Sequence, residues 1–352
     1  MMFNRKKSPR PSRLASLVAV TAVAAMALTA CSGSGTPAGS DAAAGGDATI
    51  TFIPKQLNNP YTDVVLSGGK KGATEAGFAS SNVVGPLEAS ASSQVSFINA
   101  ETQAGTNVIV IAANDPDAVC TALGEARTAG AKIVAFDSDT NPDCRDVFIS
   151  QVVAKDVALI QTKLISEQIG GSGEIAILSA TANATNQNEW IKFMEEELQS
   201  NPDYKDIKLV AKVYGDDNDT KSFQEAQGLM QAHPNLKGII SPTTVGIAAT
   251  ARYLSTSAYK GKVALTGLGL PNEMRPFVKD GTVKEFALWD PAQLGYVASF
   301  AGKALKDGTI TGAAGDTFTA GELGERKVLD GGLVIVGPPT VFNTANIDKY
   351  DF

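Results

Sequence analysis

Short apolar runs alternate with longer amphipathic stretches along most of this chain. Stretches with helical periodicity, such as residues 61–79, separate nearly all of the runs. Strands that are apolar along their whole length and alternate with helices are typical of parallel sheets covered on both faces, so the pattern predicts an α/β fold. The predicted strands span residues 48–55, 107–112, 132–137, 174–180, 207–213, 236–240, 262–267 and 283–289.

Polar and aromatic side chains follow the carboxyl ends of several predicted strands, where ligands bind in sheets of this kind. Carboxylates and amides pair with sugar hydroxyls, and an aromatic ring covers the apolar face of a pyranose. Each residue alone is better explained as a turn or a helix cap, so the hypothesis of a sugar site rests on their joint placement. The candidate ligand-binding residues are Lys55, Asn58, Tyr61, Asp137, Asn186, Gln187, Pro242, Thr244, Trp289 and Asp290.

Residues 1–30 have the pattern of a secretory signal peptide. A basic segment without acids precedes an apolar stretch from Leu14 to Leu28. That stretch is shorter than the roughly 20 residues that a membrane-spanning helix needs. The segment ends at Cys31 with a sequence that resembles the lipobox of bacterial lipoproteins, so we expect an extracytoplasmic protein anchored to the cell membrane through a lipid on Cys31. Ordinary secretion without a lipid is the alternative.

Residues 31–47 form the predicted anchor and linker, and they consist almost wholly of Gly, Ser, Ala, Thr and Pro after Cys31. Such a composition cannot bury enough apolar surface to fold. The chain has 30 basic and 37 acidic residues, and five of the basic ones lie in residues 1–30, which leaves a net charge of 25 minus 37, or −12, for the rest. This acidic balance argues against a nucleic-acid partner.

Two cysteines, Cys120 and Cys144, lie in the body of the chain. Disulfides persist outside the cytoplasm, so we expect these two cysteines to be bonded. Two separate thiols remain the alternative because pairing does not follow from sequence alone. A metal site is disfavoured, since no further Cys or His stands at ligand spacing.

Two acidic runs mimic metal sites. One begins at Asp137 with the spacing of a calcium loop, but Pro142 and Phe148 occupy the positions that require Gly and a bidentate Glu. The other, residues 216–219, precedes Thr220 and is better interpreted as a polar loop that ends in a helix cap. We therefore expect no metal.

Catalytic motifs are missing from the sequence. His233 is the single histidine, and the sequence shows no convincing triad, no P-loop and no two-histidine metal motif. A glycosidase needs only two carboxylates, and Asp137 with Asp290 is the pair that this less favoured alternative would use. We expect a protein that is not an enzyme and has no cofactor.

Several long motifs, in order along the chain, resemble the rhamnose-binding and autoinducer-2-binding branch of the type I periplasmic binding proteins. They are FIPK at 52–55, AFDSDTNPDCR at 135–145, NQNEW at 186–190, GLPNEMRPFVKDGTVKEFALWDP at 269–291 and the closing NIDKYDF. The resemblance implies two doubly wound lobes joined by a three-segment hinge. We expect a monomer whose first lobe comprises residues 48–150 with 288–312 and whose second comprises residues 151–287 with 313–352. The resemblance also implies a ligand between the lobes, and an ABC permease with its ATPase as partners.

The resemblance further assigns six positions that bind autoinducer-2 in its receptors. Four are identical here, and two depart: Asn186 stands where the receptors have Asp, and Thr244 where they have Ala. Both changes alter which hydroxyl pattern is satisfied, and a mismatched buried polar pair costs about 1–3 kcal/mol. The departures favour a small sugar, and the GLGLPNEMR stretch resembles the rhamnose-binding members more closely, which implies L-rhamnose as the ligand. Autoinducer-2, for uptake or signalling, is the alternative ligand.

Overall fold

The structure, a computed structural model, describes residues 48–352. The predicted signal peptide, Cys31 and the linker lie outside the described residues. Within residues 48–352, every helix is too short or too polar to cross a bilayer.

Fourteen strands lie in the described part of the chain. The eight predicted strands are present, whereas β2, β5 and the four strands after residue 310 were not predicted. The strands are β1 (Thr49–Ile53), β2 (Ser80–Val83), β3 (Val108–Ile111), β4 (Lys132–Phe136), β5 (Val147–Ser150), β6 (Gly173–Ser179), β7 (Ile207–Tyr214), β8 (Leu236–Ser241), β9 (Ala264–Gly267), β10 (Phe286–Leu288), β11 (Thr317–Thr319), β12 (Glu325–Lys327), β13 (Leu333–Ile335) and β14 (Thr340–Phe342).

Nine α-helices connect the strands of the described region, and side chains cap several of them. Asn59 accepts hydrogen bonds from the first amides of α1, and Pro60 occupies its first position, where a missing N–H has no cost. The helices are α1 (Pro60–Glu75), α2 (Ala91–Gln103), α3 (Cys120–Thr128), α4 (Ala154–Ile169), α5 (Thr185–Ser200), α6 (Asp219–Ala232), α7 (Thr244–Thr256), α8 (Pro271–Lys279) and α9 (Pro291–Lys306).

Two parallel sheets organise the molecule. The first has six strands in the order β13-β5-β4-β3-β1-β2, and the second has four in the order β7-β6-β8-β9. Helices cover both faces of each sheet, so alternate residues of a central strand enter different cores: Val108 and Val110 of β3 pack on one side, and Ile109 and Ile111 on the other. This confirms the predicted α/β fold with parallel sheets.

We call the first sheet with α1, α2, α3 and α9 the first lobe, and the second sheet with α4 to α8 the second lobe. The short antiparallel pair of β10 and β14 packs into the core of the second lobe. The chain passes between the lobes at residues 151–153, 289–290 and 337–339.

The third passage differs from the expectation, which put it near residue 312 and assigned residues 313–352 to the second lobe. β13 pairs in parallel with β5 of the first sheet, and Phe318, Val328 and Val334 are buried in the core of the first lobe. Residues 313–336 therefore belong to the first lobe. A three-residue strand after a hairpin gives too little sequence signal to locate.

Helices α1 and α9 pack with their backbones in close contact. A Cβ atom on Gly68 would lie 1.9 Å from the carbonyl oxygen of Ala292, and one on Gly295 would lie 2.1 Å from that of Val65. Only glycine fits at these two positions. Because α1 begins beside Tyr61 and α9 begins just after Trp289, this contact fixes the two aromatic side chains relative to each other.

Candidate ligand-binding site

A cavity lies between the two lobes, at the carboxyl ends of both sheets. Its volume, counted as the space that the centres of water molecules can occupy, is about 60 Å³. A cavity of this size suits one small molecule. Eight of the ten predicted residues line it. The first lobe and the crossing at residue 289 supply Lys55, Tyr61, Asp137 and Trp289, and the second lobe supplies Asn186, Gln187, Pro242 and Thr244.

Asp137 is the centre of the polar wall. It follows β4 directly, is 8% exposed and has a φ of 59°, a left-handed conformation that Asp adopts more readily than most residues. Its Oδ1 accepts hydrogen bonds from the Tyr61 hydroxyl at 3.0 Å and from Gln151 Nε2 at 3.2 Å. Its Oδ2 accepts one from Asn186 Nδ2 at 3.4 Å and lies 3.5 Å from Lys55 Nζ. Protein donors therefore surround both oxygens.

Lys55 and Asn186 join the lobes across the cavity. Lys55 Nζ donates to Asn186 Oδ1 at 3.2 Å, and the same oxygen accepts a hydrogen bond from the backbone N–H of Gln187 at 2.9 Å. The buried Asn114 supports Lys55, because its Nδ2 donates to the Lys55 carbonyl at 2.8 Å. The lysine side chain is 14% exposed, so its charge is poorly screened by solvent.

Gln187 occupies a more structural position than predicted. Its Oε1 accepts hydrogen bonds from Ser179 Oγ at 2.6 Å and from the backbone N–H of Ala180 at 2.8 Å. These bonds tie the first turn of α5 to the end of β6. The remaining face of Gln187 borders the cavity.

An aromatic wall faces these polar groups. Trp289 packs edge-on against Tyr61, with ring centroids 6.2 Å apart, and against Trp190 at 5.9 Å. Trp289 Nε1 donates to the Tyr61 hydroxyl at 3.0 Å. Burial and the neighbouring Asp137 carboxylate raise the pKa of Tyr61 well above its ordinary value, so this hydroxyl stays protonated and donates to Asp137. Phe136 completes the wall.

The start of α7 forms the opposite end of the cavity. Pro242, Thr243 and Thr244 follow β8 and all three border the cavity. Thr244 is 7% exposed, and within residues 48–352 its hydroxyl has no hydrogen-bond partner. It is therefore available to a ligand.

Two predicted residues lie outside the cavity. Asn58 is exposed and borders a wider outer groove, while its neighbour Asn59 caps α1 and borders the cavity. Asp290 caps α9, because its Oδ1 accepts a hydrogen bond from the Ala292 N–H at 2.9 Å. Asp290 is therefore a helix cap. It does not share the cavity with Asp137, so the two residues do not form the pair of carboxylates that a glycosidase needs.

Residues that the sequence did not single out also line the cavity, above all Gln56 and Asp217. Gln56 directly follows the predicted Lys55. Its position near the end of β1 was the sequence feature that could have identified it as a cavity residue. Asp217 belongs to the acidic run interpreted as a polar loop. Asn218 does cap α6, accepting from the Lys221 N–H at 2.9 Å, but the preceding Asp217 faces the cavity.

The predicted disulfide is confirmed. Cys120 and Cys144 are bonded, with Cα atoms 5.2 Å apart, and join the start of α3 to the loop that follows Asp137. Within this loop Arg145 binds the Asp139 carboxylate with two hydrogen bonds of 2.5 and 2.7 Å. Asp139 of the acidic run is thus held by Arg145, and the described residues contain no cluster of three or more metal-ligating side chains.

Two α/β lobes that enclose a small polar and aromatic cavity at their strand ends define a two-lobe ligand-binding protein. The chain belongs to the periplasmic binding protein family: a family model described as a periplasmic binding protein domain matches residues 50–310. This is a family of extracytoplasmic binding proteins rather than enzymes, as the sequence led us to expect.

Three solved structures illustrate the relationship. A sugar ABC transporter from Actinomyces odontolyticus is 72% identical, with a TM-score of 0.71, and the match covers 87% of this chain and 98% of that one. An ABC transporter solute binding protein from Clostridium phytofermentas with bound L-rhamnose is 37% identical, with a TM-score of 0.82 and the same coverage. LsrB from Clostridium saccharobutylicum in complex with AI-2 is 24% identical, with a TM-score of 0.82, and the match covers 87% of this chain and 100% of that one. At this identity the similarity shows a shared fold. The chain is thus a substrate-binding protein of a sugar ABC transporter.

Proposed function

We propose that this chain binds L-rhamnose between its lobes and delivers it to the permease of an ABC importer. The observation that supports this ligand best is the pairing of a polar wall around Asp137 with an aromatic wall around Trp289 in a cavity sized for one small molecule. A sugar offers hydroxyls to the first wall and an apolar face to the second. The methyl group of a 6-deoxy sugar adds apolar surface for the aromatic wall.

The two positions that depart from the autoinducer-2 pattern support a sugar. Asn186 both donates to Asp137 and accepts from Lys55, and an Asp at this position could only accept. Thr244 adds a hydroxyl at the other end of the cavity, where Ala would leave a methyl group. The relative with bound L-rhamnose is 37% identical to this chain, against 24% for the AI-2 complex.

Closure of the lobes around the ligand is the mechanism that we propose. Contacts between the lobes already include the bonds of Lys55 and Asp137 to Asn186, and a bond of 3.4 Å from Thr185 Oγ1 to the Asp139 carbonyl. The 72% identical chain superposes less well than the 37% identical one, with TM-scores of 0.71 and 0.82, as expected if the same lobes adopt two arrangements. A ligand that contacts both lobes favours the closed one.

Isothermal titration of the purified chain tests the ligand. We expect saturable heat with L-rhamnose and a weaker response, or none, with AI-2. Tight binding of AI-2 without any heat from L-rhamnose would replace the proposed ligand by the alternative. Chromatography of the sugar after prolonged incubation should recover it unchanged, and turnover would contradict a pure binding function.

We further propose that Cys31 carries a lipid that anchors the chain to the outer face of the cell membrane, with residues 32–47 as the linker to the ligand-binding lobes. The motif that ends at Cys31 and the linker composition support this. In cells that express the full chain, Cys31→Ser should move the protein from the membrane fraction to the medium or periplasm. An unchanged membrane fraction would argue against the anchor.

A further inference from the structure

Asp217 lies where the ligand cavity meets the outer groove and lines both. It occupies the turn between β7 and α6, in which Asp216 and Asp217 have φ values of 54° and 48°. Two successive left-handed residues make a sharp turn, and neither is a glycine. The turn brings the Asp217 carboxylate to the end of the cavity formed by Thr243 and Thr244.

The backbone and one carboxylate oxygen of Asp217 are engaged by the protein. Gln56 Nε2 of the first lobe donates to the Asp217 carbonyl at 3.2 Å, a contact between lobes. The Thr243 hydroxyl donates to Asp217 Oδ1, which explains why Thr243 does not cap α7 with its side chain. Within residues 48–352, Asp217 Oδ2 accepts no hydrogen bond and joins no ion pair.

Asp137 and Asp217 differ in how far the protein already satisfies their carboxylates. Each oxygen of Asp137 has two protein donors, whereas Oδ2 of Asp217 has none in the described region. Burial raises the pKa of Asp217, while the Thr243 hydrogen bond and the Lys55 charge oppose that rise and Asp137 adds to it. Lys55 and Asp137 therefore act on Asp217 across the same cavity, and its Oδ2, on the cavity wall without a protein donor, can accept a hydrogen bond from a ligand hydroxyl.

We propose that Asp217 is a specificity-determining residue of this site, which accepts a hydrogen bond from one ligand hydroxyl on Oδ2. This inference rests on the proposed function, since it requires a ligand that carries hydroxyls. The Gln56 contact then keeps the turn in place when the lobes are closed. A ligand without a hydroxyl at that position leaves the oxygen unpaired and binds more weakly.

Titration of Asp217→Asn tests the proposal. Asn tolerates the left-handed backbone and keeps one oxygen that accepts from Thr243. The ligand-facing oxygen is replaced by an uncharged NH2 group, which donates and does not accept. We expect about tenfold to hundredfold weaker binding of L-rhamnose, the range for a lost hydrogen bond to a charged group. Asp216→Asn is the matched control, because Asp216 is exposed and pairs with Lys221 outside the cavity.

Monodeoxy analogues of L-rhamnose identify the hydroxyl. The wild-type chain should bind one analogue much more weakly than L-rhamnose. The Asp217→Asn variant should bind that analogue and L-rhamnose with similar affinity. Equal affinity of Asp217→Asn and the wild type for L-rhamnose overturns the role of Asp217 while leaving the proposed function intact.

If the wild type responds only to AI-2, the proposed sugar is wrong, and the same variants titrated with AI-2 decide the role of Asp217. No heat from either probe contradicts both.

Discussion

Asn186 of the second lobe and Asp137 of the first lobe are joined by a hydrogen bond of 3.4 Å between Asn186 Nδ2 and Asp137 Oδ2. Lys55 Nζ lies 3.2 Å from the other amide atom, Asn186 Oδ1, and 3.5 Å from the carboxylate. The amide is thus the one neutral group in a triangle with a cation and an anion. Its ability to donate and accept at once is what lets the lobes meet here.

Asn186→Asp should weaken L-rhamnose binding by at least about tenfold. The substitution removes the donor to Asp137 and places two carboxylates together, which opposes closure. Isothermal titration measures the change. Asn188→Asp is the matched control, because Asn188 lies on the same helix, is exposed, and donates to the Ala182 carbonyl outside the cavity. Equal loss of affinity in both variants would show that charge on α5, and not the Asn186 bridge, is responsible.

Asp137→Asn should abolish most of the ligand affinity while the chain stays folded. Asn tolerates the left-handed backbone of residue 137, but Tyr61, Gln151 and Lys55 lose a charged acceptor. The expected loss is about 1–3 kcal/mol for each mismatched buried pair. Titration gives the affinity and circular dichroism the fold. Near-normal binding would remove Asp137 from the site.

Asp290→Ala should have the opposite profile. Asp290 caps α9 and does not line the cavity, so its loss should lower the free energy of unfolding by about 1 kcal/mol and leave the ligand affinity unchanged. Chemical denaturation and titration of the same sample separate the two effects. A large loss of affinity without loss of stability would return Asp290 to the ligand site.

The sequence was informative where a residue directly follows a strand. Lys55, Asp137 and Trp289 come one or two residues after β1, β4 and β10, so the strand alone positions them. Further into a loop this rule fails. Asn58 and Asp290 have the same polar character as residues in the cavity, and Asp217 enters it only because two left-handed residues redirect the turn, which no strand or helix periodicity encodes.

The predicted bond between Cys120 and Cys144 should contribute about 3 kcal/mol to stability, since it closes a loop of 24 residues in the unfolded chain. A Cys120→Ser, Cys144→Ser double variant should therefore unfold at a lower temperature, measured by calorimetry. The loop also contains the Asp139 and Arg145 pair beside the ligand site. A melting temperature equal to that of the oxidised wild type would contradict this contribution, and reduction of the wild type provides an independent comparison.

Glu189 should make stability depend on pH. It borders a cavity behind the ligand site together with Asp139 of the other lobe, and partial burial, followed by the charge of Asp139, raises its pKa above the ordinary value, with Lys192 opposing. A folded-state pKa that is raised means that the folded chain binds the proton more tightly than the unfolded chain. Glu189 therefore lowers stability at neutral pH, and this penalty disappears as the pH falls through the raised pKa toward 4.5.

Glu189→Gln removes that penalty and should melt above the wild type at pH 7, with a difference that shrinks as the pH approaches 4.5. The two proteins differ only at this carboxylate, so the difference between their melting temperatures reports Glu189 together with its coupling to Asp139. Glu125→Gln, an exposed position on α3 that forms no ion pair in the described region, should show no such trend. A difference that stays constant from pH 7 to pH 4 would mean that the Gln side chain stabilises the protein for another reason than the removal of the ionised Glu189 carboxylate from the neighbourhood of Asp139.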